Sequence, residues 1–126
     1  MRRLRICEEK GSGIDKVISA AEQFQLPAPD FRVKILRTSA ILFAHKDFNS
    51  MDRSDRIRAC YQHCCLRYVM NRKMTNQSLR ERFSLPESKS EVASRIIRET
   101  VGAELIKLDD PTNTSKRYAK YVPYWA

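Results

Sequence analysis

Hydrophobic positions along this chain fall into two rhythms that alternate several times. Ile14, Val17, Ile18 and Ala21 stand three and four residues apart after Gly11 and Gly13, which predicts an amphipathic helix. "LPAPD", with two prolines in three residues, ends it. In "FRVKIL" the period drops to two, with Phe31, Val33 and Ile35 on one face. "AILFAH" follows after Arg37, Thr38 and Ser39, so a two-stranded hairpin is expected. A helix and a hairpin have too few strands to close a core alone. Residues 1–50 therefore read as the C-terminal tail of a preceding α/β domain.

Polar turn formers cluster in "KDFNSMDRSD", where Asp52 or Ser54 can cap the next helix. That helix is expected over residues 55–71, with Ile57, Cys60, Tyr61, Cys64, Leu66, Tyr68 and Val69 around an apolar face. Thr75 or Asn76 then caps a short helix with Leu79 and Phe83 inward, and "SLPES" makes a turn. A longer helix is expected over residues 88–101, burying Ala93, Ile96, Ile97 and Val101. Last come "LIKL", the polar loop "DDPTNTS" and "KRYAKYV", read as two strands around a tip. The order helix, short helix, helix, hairpin is that of a winged helix-turn-helix, so the expected class is α+β, with residues 51–126 as the winged-helix domain.

Such a helix pair has a physical use. The second helix projects a polar face into the major groove while the first braces it across the backbone. Lys89, Ser90, Ser94, Arg95 and Arg98 lie away from the apolar stripe of the 88–101 helix, and arginine can make paired hydrogen bonds to guanine. Asn113, Ser115, Lys116 and Arg117 at the hairpin tip suit contact with the backbone or minor groove. Arg72, Lys73 and Asn76 can anchor phosphates at the start of the short helix. A basic helix face can equally be a solvated face with no partner.

Charge favours a polyanionic partner. The 126 residues hold 24 Lys plus Arg against 15 Asp plus Glu, a formal net charge of +9. Residues 1–50 contribute 9 basic and 6 acidic residues (+3), and residues 51–126 contribute 15 and 9 (+6). The larger excess lies with the helix pair, which points to nucleic acid or an anionic surface. No apolar run reaches the roughly 18–20 residues of a membrane span, and "MRRLRICEEKGSG" lacks the apolar stretch of a signal peptide. A soluble, cytoplasmic protein is expected. Cys7, Cys60, Cys64 and Cys65 then read as reduced thiols, since neighbours on a helix point in different directions and cannot easily pair.

Catalytic readings are weaker. A helicase motor needs Gly-x-x-x-x-Gly-Lys-Ser/Thr, and "GSGIDK" has the wrong spacing. "GSGID" can be read as the end of a degenerate nucleotide pocket, with amides at a helix start facing phosphate, or as a flexible turn; no cofactor is expected for this chain. In "CYQHCC", Cys60, His63 and Cys64 share a helical face, but zinc wants four ligands and only Cys7 or His45 could add to them. Thiols packed in a helical core with His63 at its edge are the expected arrangement, with no metal and no catalytic pair. "YVPYWA" reads either as an exposed contact anchored by Trp125 or as a tail folded back over the hairpin and the 55–71 helix.

The run from Asp55 to Thr100 together with "LIKLDDPTNTSKRYAKYVPYWA" resembles the C-terminal winged-helix part of bacterial RecG-like regulators. Relatives in that family carry an N-terminal Schlafen AlbA-type DNA-binding domain and are often labelled ATP-dependent DNA helicase-related or transcriptional regulator. "EEKGSGIDKVISAAEQFQLPAPDFRV" is similar to the end of the region preceding the winged helix, and "KGSGI" and "YAKYVPYW" are the most specific marks. The resemblance implies a domain fragment of a longer protein that binds duplex DNA, with a homodimer expected because one winged helix reads a short site. An interaction or oligomerisation module without direct DNA reading is the competing class. Relatives place Gly immediately before the Leu-Ile that opens the wing, where this chain has Glu104.

Overall fold

The computed structural model describes residues 12–113, 115 and 118–126. Over these it is a mixed α+β structure with four α-helices and two antiparallel two-stranded hairpins. Helix α1 spans Ser12–Gln23, strands β1 and β2 span Asp30–Lys34 and Arg37–Ile41, and helix α2 spans Arg53–Val69. Helix α3 is Asn76–Arg82, helix α4 is Ser90–Gly102, and strands β3 and β4 are Ile106–Leu108 and Tyr121–Pro123. Single 3-10 turns precede α2 at Phe48–Ser50 and α4 at Glu87–Lys89.

Helix starts follow their caps. Asp52, not Ser54, caps α2: its side chain accepts from Asp55 N–H at 2.8 Å, and the Asp55 carboxylate accepts from Asp52 N–H at 3.3 Å. Burial raises the Asp55 pKa, but Lys46 at 3.2 Å, Arg58 at 2.9 Å and the Asp52 amide more than offset this, so the group ionises more readily than usual. Thr75 caps α3 in the same reciprocal way with Ser78.

Helix ends share a second device. Each of the four closes with a residue in the left-handed region: Gln25, Asn71, Ser84 and Glu104, at φ of 55°, 61°, 55° and 60°. The next amide always reaches back to a carbonyl five residues earlier: Leu26 to Ala21, Arg72 to Arg67, Leu85 to Arg80, Leu105 to Thr100. This is the Schellman closure, normally built on glycine, and none of the four is glycine here. Glu104, at φ 60°, closes α4 and bears the side-chain strain of that conformation. Replacing Glu104 with Gly should stabilise the fold by about 0.5–1 kcal/mol, the relief of left-handed strain less the entropy of glycine. Thermal melts would show a rise of a few degrees; a fall would mean the Glu104 side chain makes a stabilising interaction that outweighs the strain.

The core lies between α2, α3, α4 and the second hairpin. Cys60, Cys64, Met74, Leu79, Ile96 and Ile106 are essentially without solvent contact, and Ala28, Met51, Ala59, Phe83, Ala93 and Ile97 join them. Cys60 Sγ sits 3.9 Å from Met74 Sδ. Both described core thiols are free, and burial pushes Cys60 up to about 12 and Cys64 higher still. Met74 also ties the hairpin to the helices: its N–H and C=O pair with the C=O and N–H of Tyr121 at 3.1 and 2.9 Å. Ile106 faces Pro123 and Leu108 faces Tyr121 across the hairpin, and Asp109 N–H to Lys120 C=O, 2.9 Å, extends the pairing by one step.

Several boundaries differ from the periodic reading. The first hairpin turns at Ile35 and Leu36, with Lys34 opposite Arg37, so residues 37–39 are strand and not turn. On its expected inward face Phe31 is half-buried, but Val33 and Ile35 are 84% and 99% exposed. The second strand of the later hairpin is Tyr121–Pro123; of the "KRYAKYV" run, Tyr118–Lys120 are not strand and Lys116 and Arg117 lie outside the described residues. On α4 the fourth buried position is Thr100, whose hydroxyl bonds Ile96 C=O at 2.7 Å, while Val101 is turned outward.

The segment before residue 50 is fastened to the later helices. Pro27, Ala28 and Pro29 are buried, and Ala28 belongs to the same core as Leu79 and Ile96. Three backbone carbonyls of this segment accept side-chain bonds from α2 and α3: Leu26 from Arg82 at 2.8 Å, Ala28 from Arg58 at 3.0 Å, and Pro29 from Gln62 at 2.6 Å. The tail folds back onto α2, where Trp125 Nε1 donates to Tyr61 Oη at 3.1 Å and meets Tyr68 edge-on at 5.5 Å, while remaining 60% exposed. No helix among the described residues is long and apolar enough to cross a membrane.

Candidate nucleic-acid interface

Ala93, Ile96, Ile97 and Thr100 anchor α4 in the core, so its opposite side faces solvent with Glu91, Ser94, Arg95 and Arg98. Among the described residues neither Arg95 nor Arg98 is in an ion pair. Two acids close to them in sequence are engaged elsewhere: Glu99 binds Arg53 at 3.2 Å, and Asp110 accepts from Thr112 N–H at 3.0 Å and Thr112 Oγ1 at 2.6 Å. Those Thr112 bonds hold the Asp110 carboxyl below its ordinary pKa. Two guanidinium groups are thereby left available on one helix face.

Helix α3 braces this face through a single amide. Asn76 Nδ2 donates to Ser90 C=O at 3.0 Å and to Ser94 Oγ at 2.9 Å, while its Oδ1 accepts from Arg80 Nε at 2.8 Å. With both Nδ2 protons engaged, the Asn76 side chain sets the α3–α4 geometry. Ser90, half-buried, opens α4 and offers its carbonyl to that latch; Lys89 lies in the preceding 3-10 turn and is exposed.

Other candidates divide between the two clefts flanking α4. Ser94, Arg98, Asn113 and Ser115 line a cleft of about 350 Å³ against the second hairpin, with Val101 and Leu108 as its apolar wall. Arg80 and Lys120, neither anticipated from the sequence, line an open groove of about 820 Å³ with Ser90, Ser94 and Tyr118. Arg72 is exposed, and Lys73 is paired with Asp109 at 3.0 Å. Lys116 and Arg117 lie outside the described residues. The signal that could have found Arg80 is its spacing: it stands four residues after Asn76, one turn along the same face of α3.

A second polar cluster differs from its sequence reading. His63 is not at the core's edge but 5% exposed, because the 22–30 segment packs over α2. Its Nδ1 lies 2.8 Å from Glu22 Oε2 and its Nε2 lies 3.1 Å from Ser78 Oγ. The order acid, imidazole, hydroxyl has the connectivity of a hydrolase triad, but Ser78 Oγ is buried and held by Thr75 N–H at 3.0 Å as part of the α3 cap, out of reach of a substrate. Arg82 closes the cluster, its Nη2 on Leu26 C=O and its Nε 3.7 Å from Glu22. Burial disfavours the Arg82 charge and Glu22 partly restores it. Among the described residues no three His, Cys, Asp or Glu side chains converge as metal ligands.

Residues 1–42 match the family described as "Putative ATP-dependent DNA helicase recG C-terminal". The matched stretch contains "KGSGI", α1 and the first hairpin, and so supports the RecG-like resemblance read there. It ends before α2, leaving the helix pair and second hairpin outside it. Neither the curated proteins nor the solved structures contain a match to the chain.

Proposed function

We propose that α2, α3, α4 and the β3–β4 hairpin form a winged helix-turn-helix that binds duplex DNA, with α4 in the major groove and the hairpin loop at the backbone. The observation that carries this reading is the pair Arg95 and Arg98, exposed on α4 without a carboxylate partner among the described residues, on a helix indexed to α3 by Asn76. Arginine is the side chain suited to paired bonds with guanine or phosphate. Arg80, Lys120 and Arg72 add positive charge at the flanks, consistent with the +6 excess of residues 51–126. With the RecG-like match upstream, the module reads as the DNA-binding part of a cytoplasmic bacterial transcription regulator acting as a homodimer. Motor activity is not part of the proposal.

The test is fluorescence anisotropy of labelled duplex with this chain across salt. Affinity should fall by about 0.9 log units per log unit of salt for each phosphate neutralised. Absence of binding at low salt would end the reading. The alternative, an assembly module, is favoured by one observation: Trp125, Tyr68, Val69 and Met70 expose large apolar area on the tail and the end of α2. A concentration-dependent dimer that ignores duplex would support it.

A further inference from the structure

The buried His63 joins three helices, and the count of donors and acceptors around it has a consequence. A carboxylate can only accept, so toward Glu22 the imidazole donates from Nδ1. Ser78 has one hydroxyl proton and two lone pairs. One lone pair takes the Thr75 N–H at 3.0 Å; the proton is in reach of Thr75 C=O at 3.1 Å; His63 Nε2 stands at 3.1 Å. All of these bonds coexist only when Nε2 also carries a proton and donates into the second lone pair. When Nε2 is bare, the Ser78 hydroxyl must turn its proton to the ring, and the Thr75 carbonyl loses it.

We propose that His63 is a proton-operated switch on the α3 cap: a second proton on the imidazole seats the Ser78 hydroxyl on the Thr75 carbonyl, and its loss withdraws it. Histidine is the side chain that naturally exchanges a proton between about pH 5 and 8. The charged groups at this junction come from both packed helices. Glu22 of α1 faces Nδ1 at 2.8 Å, and Arg82 of α3 stands 3.7 Å from that carboxylate. On α2 itself, burial keeps Cys60 and Cys64 in the neutral thiol form near neutrality.

The switch has a route outward. Thr75 and Ser78 set the first turn of α3, and Asn76 in that turn holds Ser90 and Ser94 of α4. Through it the attachment of α1 bears on the face that carries Arg95 and Arg98, a consequence that rests on the DNA-binding reading. The sign follows from the bond count: the Ser78 hydroxyl bond to the Thr75 carbonyl belongs to the acid side and is given up as pH rises, while the two reciprocal cap bonds stand in both states.

The experiment is NMR of the whole chain from pH 5 to 8, following the His63 ring nitrogens and the Thr75 and Ser78 amides, with duplex affinity measured in parallel. The two amides should shift with the midpoint of the His63 ring. In Ser78→Ala the ring should still titrate while the Thr75 amide no longer follows. Duplex affinity should be roughly 2- to 10-fold tighter on the acid side, one neutral hydrogen bond's worth, and His63→Gln should flatten that dependence. Static amides beside a titrating ring, or a ring held in one state over the whole range, overturns the switch; either result is read on the free wild-type protein and needs no variant to fold. Coupled amide shifts with pH-independent affinity overturn the route to α4. Coupled shifts with no duplex binding at any pH overturn the DNA reading and leave the switch standing.

Discussion

Replacing Arg95 and Arg98 together with alanine should abolish measurable duplex binding while leaving the fold intact. A well-made arginine contact to a base is worth about 1–3 kcal/mol. Two on one face therefore amount to a loss of roughly 30-fold to more than 10⁴-fold if the losses add. If either side chain contacts phosphate instead, the salt dependence should shallow by about 0.9 log units per contact removed. Neither arginine contributes to the core, so the thermal midpoint should stay near that of the parent, as exposed substitutions usually change stability by about 0.5 kcal/mol or less. Anisotropy across salt and a melt of the same sample check both halves. A double variant that binds duplex as tightly as the parent would remove α4 as the reading helix and move the function toward assembly.

Leu79→Ala should be the most damaging single truncation. Leu79 has no solvent exposure and sits on α3, which is only seven residues long. So short a helix has little stability of its own and depends on its packed face. Leucine-to-alanine at such sites costs about 2–5 kcal/mol, against a total of about 5–15 kcal/mol for a domain. Chemical denaturation should show a midpoint shift of that size. Leu79→Met, which nearly conserves volume, should cost less than about 1.5 kcal/mol. A loss under about 1 kcal/mol for Leu79→Ala would mean the α3–α4 packing relaxes into the space. Because Asn76 is on the same helix, a folded Leu79→Ala protein should also bind duplex more weakly.

Much of the architecture is legible in the residues alone. "LPAPD" ends α1, Asp52 and Thr75 start α2 and α3, and Leu79, Ala93, Ile96 and Ile97 are buried as their spacing required. These features are local: a proline lacks an amide wherever it stands, and a cap needs only its own first turn. The candidate site was legible in part for the same reason. Ser94, Arg95 and Arg98 had to be outward once Ala93 and Ile97 were inward. Asn76 could be placed at the start of α3, but not its bonds to Ser90 and Ser94, which join residues 14 and 18 positions away.

The sequence by itself determined which segments are helical, though not their end residues, which face of α4 is apolar, and the sign and location of the excess charge. Tertiary structure decided what each face meets. His63 became a buried link because residues 22–30 crossed α2. Val33 and Ile35 stayed in solvent because, among the described residues, no surface covers them. Val101 turned outward because α4 rotates to bury Thr100. Periodicity reports that one side of an element is apolar, whereas burial depends on a second surface brought from elsewhere in the chain, and no local rhythm encodes which surface that will be.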